Sequence, residues 1–172
     1  MQNPMSTEGQ LIIVELGAEW PRLSRSNSPK AQRVLVQDEV ESPAAFAVRV
    51  GEQVGGLFAR GTVLTSAVIA CSERLDEHAQ GARAELARTV ALALAGARGG
   101  ALLIAVSDRN EGRSRAALTG FTAKLAKEWQ GRGVRATLHF GDDEGGEQPA
   151  PMDPPKRASG SRGAAKDTRR VA

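Results

Sequence analysis

Five short apolar runs alternate along the chain with longer polar–apolar stretches. The runs are LIIVEL at 11–16, RVLVQ around 34–36, TVLTSAVIAC at 62–71, ALLIAV at 101–106 and VRATLHF at 134–140. Their length and apolar content are typical of strands. The central part of the third run is almost continuously apolar, which predicts a strand covered on both faces. The last run alternates apolar and polar residues, which predicts an edge strand with one wet face.

Three of the stretches between these runs have helical periodicity. The first begins with Ser42 and Pro43, a serine cap followed by proline at the first helical position. Apolar residues then recur at helical spacing: Phe46, Val50, Val54 and Leu57 or Phe58 in the first, Leu86, Val90 and Leu94 in the second, and Leu118, Phe121, Leu125 and Trp129 in the third. The pattern therefore predicts helices near 43–58, 77–96 and 112–131.

The glycines of this region indicate helix ends rather than a nucleotide loop. A phosphate-binding loop needs its glycines after a strand and before a helix. Gly96, Gly99 and Gly100 have the opposite polarity, as do Gly131 and Gly133, and we interpret them as helix stops. Three glycines (Gly51, Gly55 and Gly56) lie inside the first predicted helix. They indicate close packing of this helix against a neighbour or early fraying of its end, and the alternative is a functional hinge.

Successive β-α-β units cross right-handed and place their strands in parallel. We therefore expect an α/β fold: a three-layer Rossmann-like sandwich with a five-stranded, mostly parallel sheet over residues 10–141. Residues 1–9 are predicted to be a flexible N-terminus, and the stretch from Ala18 to Gln32 an exposed loop anchored by Trp20. Residues 142–172, acidic up to Asp153 and basic afterwards, are predicted to be a disordered tail.

Composition excludes several kinds of site. The chain has no tyrosine and only 3% aromatic residues, so a stacking surface for nucleic acid is thin. The single cysteine excludes an intramolecular disulfide and a multi-cysteine metal site. The two histidines, His78 and His139, have no carboxylate at ligand spacing, and we predict no metal. No dinucleotide or Walker-type motif predicts a cofactor. No apolar run approaches the ~18 residues of a membrane span, and the sequence suits a cytoplasmic protein.

Candidate chemistry lies where the strands end, because open parallel sheets bind ligands beyond the carboxyl ends of their strands. Cys71 and Ser107 are the candidate catalytic residues, Cys71 as a nucleophile at a helix N-terminus. The candidate ligand-binding residues are Ser72, Asp108, Arg109 and Asp142. The alternative interpretation is that the polar residues cap helices and form turns, and that Cys71 is a small buried side chain.

The pieces GGALLIAVSD, SRAALTGFTAKLAKEW and GRGVRATLHFG, between residues 99 and 141, resemble the second half of a short-chain dehydrogenase/reductase. The resemblance places Ser107 at the catalytic serine position, Arg115 where that family has a lysine, and Glu111 where it has a tyrosine. The segment after the first strand, 16–20, has one glycine where the family has a glycine-rich loop. The resemblance therefore implies a Rossmann fold with an inactive catalytic site.

These observations favour a non-catalytic Rossmann-like domain that binds a protein partner or a small ligand. A degenerate reductase or small hydrolase using the strand-end residues is one alternative. An accessory nucleic-acid binder, acting through the basic residues between Lys156 and Arg170, is another, and its binding would depend strongly on salt. Either predicted edge strand, 34–36 or 134–140, could pair across a homodimer.

Overall fold

The computed structural model describes residues 7–19, 31–106 and 112–141. These ranges hold five strands and three helices, which alternate from β2 onwards, and a 3₁₀ turn precedes the last strand. The strands are β1 (Thr7–Val14), β2 (Ala31–Val36), β3 (Thr62–Cys71), β4 (Gly100–Val106) and β5 (Val134–Phe140). The helices are α1 (Pro43–Ala59), α2 (Glu77–Gly96) and α3 (Arg113–Trp129), and the turn is Gln130–Arg132.

All five strands pair in parallel in one sheet, in the order β2-β1-β3-β4-β5. The predicted α/β Rossmann-like layout with a five-stranded parallel sheet is therefore confirmed, and β2 and β5 are the two edge strands. Strand β1 begins at Thr7, where it pairs with Thr62, so its first three residues belong to the sheet rather than to the predicted flexible N-terminus. These first residues are polar or glycine, so the pattern of apolar residues did not predict them as strand. Their backbone pairing with β3 includes them in it.

One face of the sheet carries all three helices. Their apolar stripes form a single core cluster with alternate residues of the strands, such as Leu11, Ile69 and Ile104. The steps from β2 to β3, from β3 to β4 and from β4 to β5 all run in the same direction across the sheet. Right-handed crossovers then place α1, α2 and α3 on the same face.

The opposite face carries a smaller apolar cluster. It consists of Ile12, Val14, Val68, Ala70 and Ala105, and its partly buried neighbours include Ala18. None of the three described helices contributes to this cluster, so a third layer on this face stays a prediction. Among the described residues, no helix is both long and apolar enough to cross a membrane.

The predicted glycine stops are confirmed where the chain leaves α2 and α3. Gly99 and Gly133 both have positive φ angles, of 96° and 78°, which glycine adopts without a steric cost. The two connections touch, because Gly100 N donates to Gly133 O at 3.1 Å. Helix α1, in contrast, continues through its glycines to Ala59, and only Gly51 lies opposite another helix, with Thr89 3.8 Å from where a Cβ would be.

Candidate functional site

The sheet has its topological switch point at the carboxyl ends of β1 and β3. From β1 the chain moves to β2 on one side, and it then returns past β1 to β3 on the other side. In open α/β sheets this crevice is where ligands bind. The residues that follow the two strands are Glu15 and Ser72, and both are buried.

A buried ion pair fills the crevice. Arg83 of α2 binds the Glu15 carboxylate with two hydrogen bonds, from Nε to Oε1 and from Nη2 to Oε2, each 2.7 Å long. Ser72 donates to the same Oε2 through its backbone N–H at 2.9 Å and its hydroxyl at 3.0 Å. Arg83 Nη2 also donates to Ser72 O at 3.2 Å and to Arg74 O at 3.4 Å. This network joins β1, β3 and α2 with charge-assisted bonds of bidentate geometry.

Arg83 is 4% exposed, and the Glu15 carboxylate stabilises the charged form of its guanidinium. Burial by itself lowers the pKa of the guanidinium, but the hydrogen bonds and negative charge of Glu15 outweigh burial, and the net pKa is raised. Arg83 is therefore a permanent cation that neutralises the carboxylate. Neither group is left free to bind an ionic ligand.

The cavity that the described residues leave at the switch point is small. The cavity bordered by Glu15, Gln37, Ser72 and Arg83 has a volume of about 10 Å³, which is close to the minimum for one water molecule. Gln37, which follows β2, closes another side: it accepts from Leu16 N at 3.1 Å and donates to Glu41 O at 3.0 Å. In this structure the crevice is therefore part of the core.

Cys71 lies at the end of β3 with its thiol in the helical core, and its residue is 2% exposed. Burial raises the pKa of this thiol well above its usual range, and the nearby Glu15 carboxylate raises it further. A nucleophilic cysteine needs the opposite shift and solvent access. The geometry therefore supports the interpretation of Cys71 as a small buried residue.

Helix α2 starts with its own cap rather than with a free anion-binding end. Asp76 accepts from Ala79 N at 2.9 Å, and this hydrogen bond lowers the pKa of the Asp76 carboxyl, assisted by Arg74. Arg74 contacts the same carboxylate at 3.2 Å. Asp76 thus has the capping role that the sequence offered as an alternative, whereas Ser72 belongs to the network around Glu15.

Several predicted site residues lie outside the described residues: Ser107, Asp108, Arg109, Glu111, Trp20 and Asp142 with the rest of the 142–172 tail. Arg115, at the position of the family lysine, lies over the ring of Phe140 with its Cζ 3.8 Å from the centroid. His78 is exposed on α2 and His139 is half-buried on β5. Within the described ranges, no three His, Cys, Asp or Glu side chains are grouped as metal ligands would be.

Two wider openings bordered by described residues lie on the helical face, between α2 and α3. One, of about 430 Å³, is bordered mainly by Leu75, Gly81 and Ala84 on one side and by Ala117, Leu118 and Phe121 on the other. A second, of about 480 Å³, continues from Gly81 along α2 to Leu92 and is bordered by Trp129 of α3. We call the two together the α2–α3 groove. From Gly81 to Leu92 it runs roughly 16 Å along the helix.

The α2–α3 groove has mixed walls. Eight of its bordering residues are apolar or small, and its polar neighbours include Glu77, Gln80, Glu85, Arg88 and Thr89 of α2. Ala84, Ala117 and Phe121 are partly buried, and Leu92 at the far end is 58% exposed. Arg83 also borders the groove, but its guanidinium is bound to Glu15. The end of the groove beside Ala117 and Phe121 suits an apolar occupant, whereas Glu85 and Arg88 border the stretch towards Leu92.

Sequence reasoning identified neither the ion pair nor the groove. A signal for Arg83 exists, because it lies on the same stripe of α2 as Ala79, Leu86 and Val90, all of them buried. A charged residue inside an apolar stripe requires a buried partner. No such local signal marks the groove, since its two walls come from helices about 35 residues apart in the chain.

Comparison with known proteins adds no assignment: no family model matches the chain, and no curated protein matches it either.

Proposed function

We propose that this chain is a non-catalytic Rossmann-like domain that binds a protein partner through the α2–α3 groove. The observation that carries the proposal is the Glu15–Arg83 ion pair. It occupies the crevice where a sheet of this order holds a ligand, and the space left there is about 10 Å³. Among the described residues, a wider and partly apolar opening lies between α2 and α3.

The groove has the form of a helix- or peptide-binding surface. Amphipathic helices and extended peptides bind in apolar grooves that are several turns long. Small side chains on both walls, at Gly81, Ala84 and Ala117, leave room for the side chains of a partner. Leu92 and Phe121 offer apolar contact area at either end.

A small apolar ligand is the second candidate, and one observation favours it. The opening beside Phe121 has a volume of about 430 Å³, within the range of about 300–1,000 Å³ that is common for ligand pockets. The few polar groups that border it, including Gln80, would then orient the ligand.

The test places a photo-crosslinking amino acid at Ala117, on the groove wall, and in a matched variant at Ala123, which is exposed on the same helix. Irradiation in cells of the source organism is expected to give a discrete adduct of higher mass from position 117 and none from 123. The same pattern at both positions, or no adduct at 117, contradicts a protein partner in the groove.

A thermal-shift screen with nucleotides and apolar small molecules separates the alternatives. A ligand at a hundredfold excess over its Kd stabilises the fold by about 2.7 kcal/mol. Under our proposal nucleotides give no shift. A shift with nucleotides restores a strand-end site, and a shift with an apolar compound that Ala117→Arg abolishes and Ala123→Arg keeps favours the second candidate.

A further inference from the structure

We infer that the tail of this chain binds in its own α2–α3 groove, with residues 149–155 beside Phe121 and Ala117. The inference rests on the proposed function, because it makes the tail an internal competitor of the partner.

Position is the first argument. Strand β5 ends at Phe140, and Gly141 N donates to Val106 O at 3.1 Å. Arg115, in the first turn of α3, lies over the Phe140 ring, so the chain leaves the sheet next to the helix that forms one wall of the groove. From Arg115 to Phe121 the helix rises only about 9 Å.

The length of the chain is sufficient. Residues 142–172 follow Gly141. The seven residues at 142–148 can span up to about 25 Å when extended, which exceeds the distance along α3 from its first turn to Phe121. The segment 149–155 can therefore reach the wide end of the groove without any change in the described fold.

Charge is the second argument. The tail begins with Asp142, Asp143 and Glu144. The first turn of α3 has no acidic residue, its N-terminal Gly112 provides no side-chain cap, and Arg113 and Arg115 are exposed there. The N–H groups of a first helical turn and the helix dipole favour negative charge at this end. The acidic run would thus be held close to α3 and would direct the following residues into the groove.

The third argument is the chemistry of the occupant. Residues 149–155 read PAPMDPP and contain four of the eight prolines of the chain. Such segments lose little conformational entropy on binding and are recognised by apolar grooves with aromatic walls. Met152 is the largest apolar side chain of the tail, and a thioether packs favourably against an aromatic ring such as that of Phe121.

The test uses the full chain with a nitroxide label on Ala158→Cys, just beyond the segment, because the native Cys71 is buried and will not react. Paramagnetic broadening of amide signals is expected at Gly81, Ala84 and Ala117 and not at Val48 of α1, which is exposed away from the groove. Broadening that is equal over the surface, or that falls on Val34 and Val36 of the other sheet face, overturns the inference.

A second variant tests the contact that Met152 is proposed to make in the groove. Met152→Ser removes the main apolar contact, and the ratio of bound to free tail is expected to fall roughly tenfold or more, with matching loss of broadening at Ala117. Met5→Ser, in the N-terminal segment, is the matched control and should change nothing. Unchanged broadening in Met152→Ser contradicts the assignment of residues 149–155.

Mixing labelled and isotope-enriched chains distinguishes this chain's tail from that of a second copy. Broadening that appears only between chains contradicts an internal competitor. Because these measurements use the purified chain alone, they can fail while the crosslink from position 117 in cells persists. In that case the groove binds its partner and the tail does not compete for it.

Discussion

The buried pair between Glu15 and Arg83 shows how one interaction decides what the strand ends can do. Replacing such a pair with well-packed apolar residues is often neutral or stabilising, so its presence is weak support for a gain in stability. The pair determines instead how the elements are arranged. The Glu15 carboxylate accepts hydrogen bonds from Arg83 and from Ser72, and these bonds hold the ends of β1 and β3 against α2. The same contacts bind the carboxylate and the guanidinium to each other, so their charges are already paired within the protein.

Breaking one side of this pair should be costly. We expect Arg83→Met to lower the free energy of unfolding by about 3–5 kcal/mol, because it leaves the Glu15 carboxylate buried without its counter-charge. Adding Glu15→Gln in the same chain should recover a large part of that loss. Urea denaturation of the wild type, the two single variants and the double variant gives the coupling energy.

The control for this cycle is Arg88→Ala on the same helix. Arg88 contacts Glu128 at 3.8 Å, and both side chains are largely exposed, so the change should stay within about 1 kcal/mol. If Arg83→Met costs no more than Arg88→Ala, the ion pair does not organise the strand ends.

At the scale of elements, the helices end where the sequence marks them, and the ends themselves are packed. The connection from α2 to β4 meets the connection from α3 to β5, and Gly100 N donates to Gly133 O. A Cβ on Gly99 would collide with the carbonyl oxygen of Gly133. The glycine at 99 is thus required twice, by its positive φ angle and by the close approach of a neighbouring backbone.

We expect Gly99→Ala to lower the free energy of unfolding by about 2–4 kcal/mol, from the left-handed backbone and the overpacking together. The matched control is Gly120→Ala in α3, where nothing lies within 4 Å of an added Cβ. Alanine there should raise stability by about 0.5–1 kcal/mol. Chemical denaturation of both variants checks the two signs, and a Gly99→Ala chain as stable as the wild type would contradict the packed corner.

At the scale of the whole molecule, one large core joins all three helices to one face of the sheet. Cys71 lies within it on β3, the middle strand of five. A thiol in this position becomes accessible only when the sheet itself opens. Its reactivity therefore reports on the cooperativity of the fold and, at the same time, on its suitability as a nucleophile.

Labelling of Cys71 by a disulfide reagent should be slower than in the unfolded chain by roughly a thousandfold or more, as expected for global unfolding. The free energy obtained from labelling should match that from urea denaturation. Labelling at the rate of a free thiol in the native protein would mean that β3 ends in an accessible site, and would revive a catalytic role for this residue.

Much of the fold could be predicted from the sequence because its signals are local. Ser42 accepts from Ala45 N, as a helix cap does, and the apolar spacing of α2 and α3 matches the residues that are buried. Caps, periodicity and glycine stops each depend on neighbours within one or two turns, so the chain by itself determined the number, type and approximate bounds of the elements. The extension of β1 back to Thr7 was missed because pairing with Thr62, not side-chain pattern, decides it.

The candidate site depended on contacts that no local pattern contains. Glu15 and Arg83 are 68 positions apart, and only the placement of β1 beside β3 with α2 above them brings the two charges together. The walls of the α2–α3 groove likewise come from separate helices. Hence the sequence determined an α/β domain with polar strand ends. The tertiary structure decided that an internal ion pair fills the space at the ends of β1 and β3 and that an apolar opening lies between α2 and α3. Burial and charge pairing are settled only once distant residues meet.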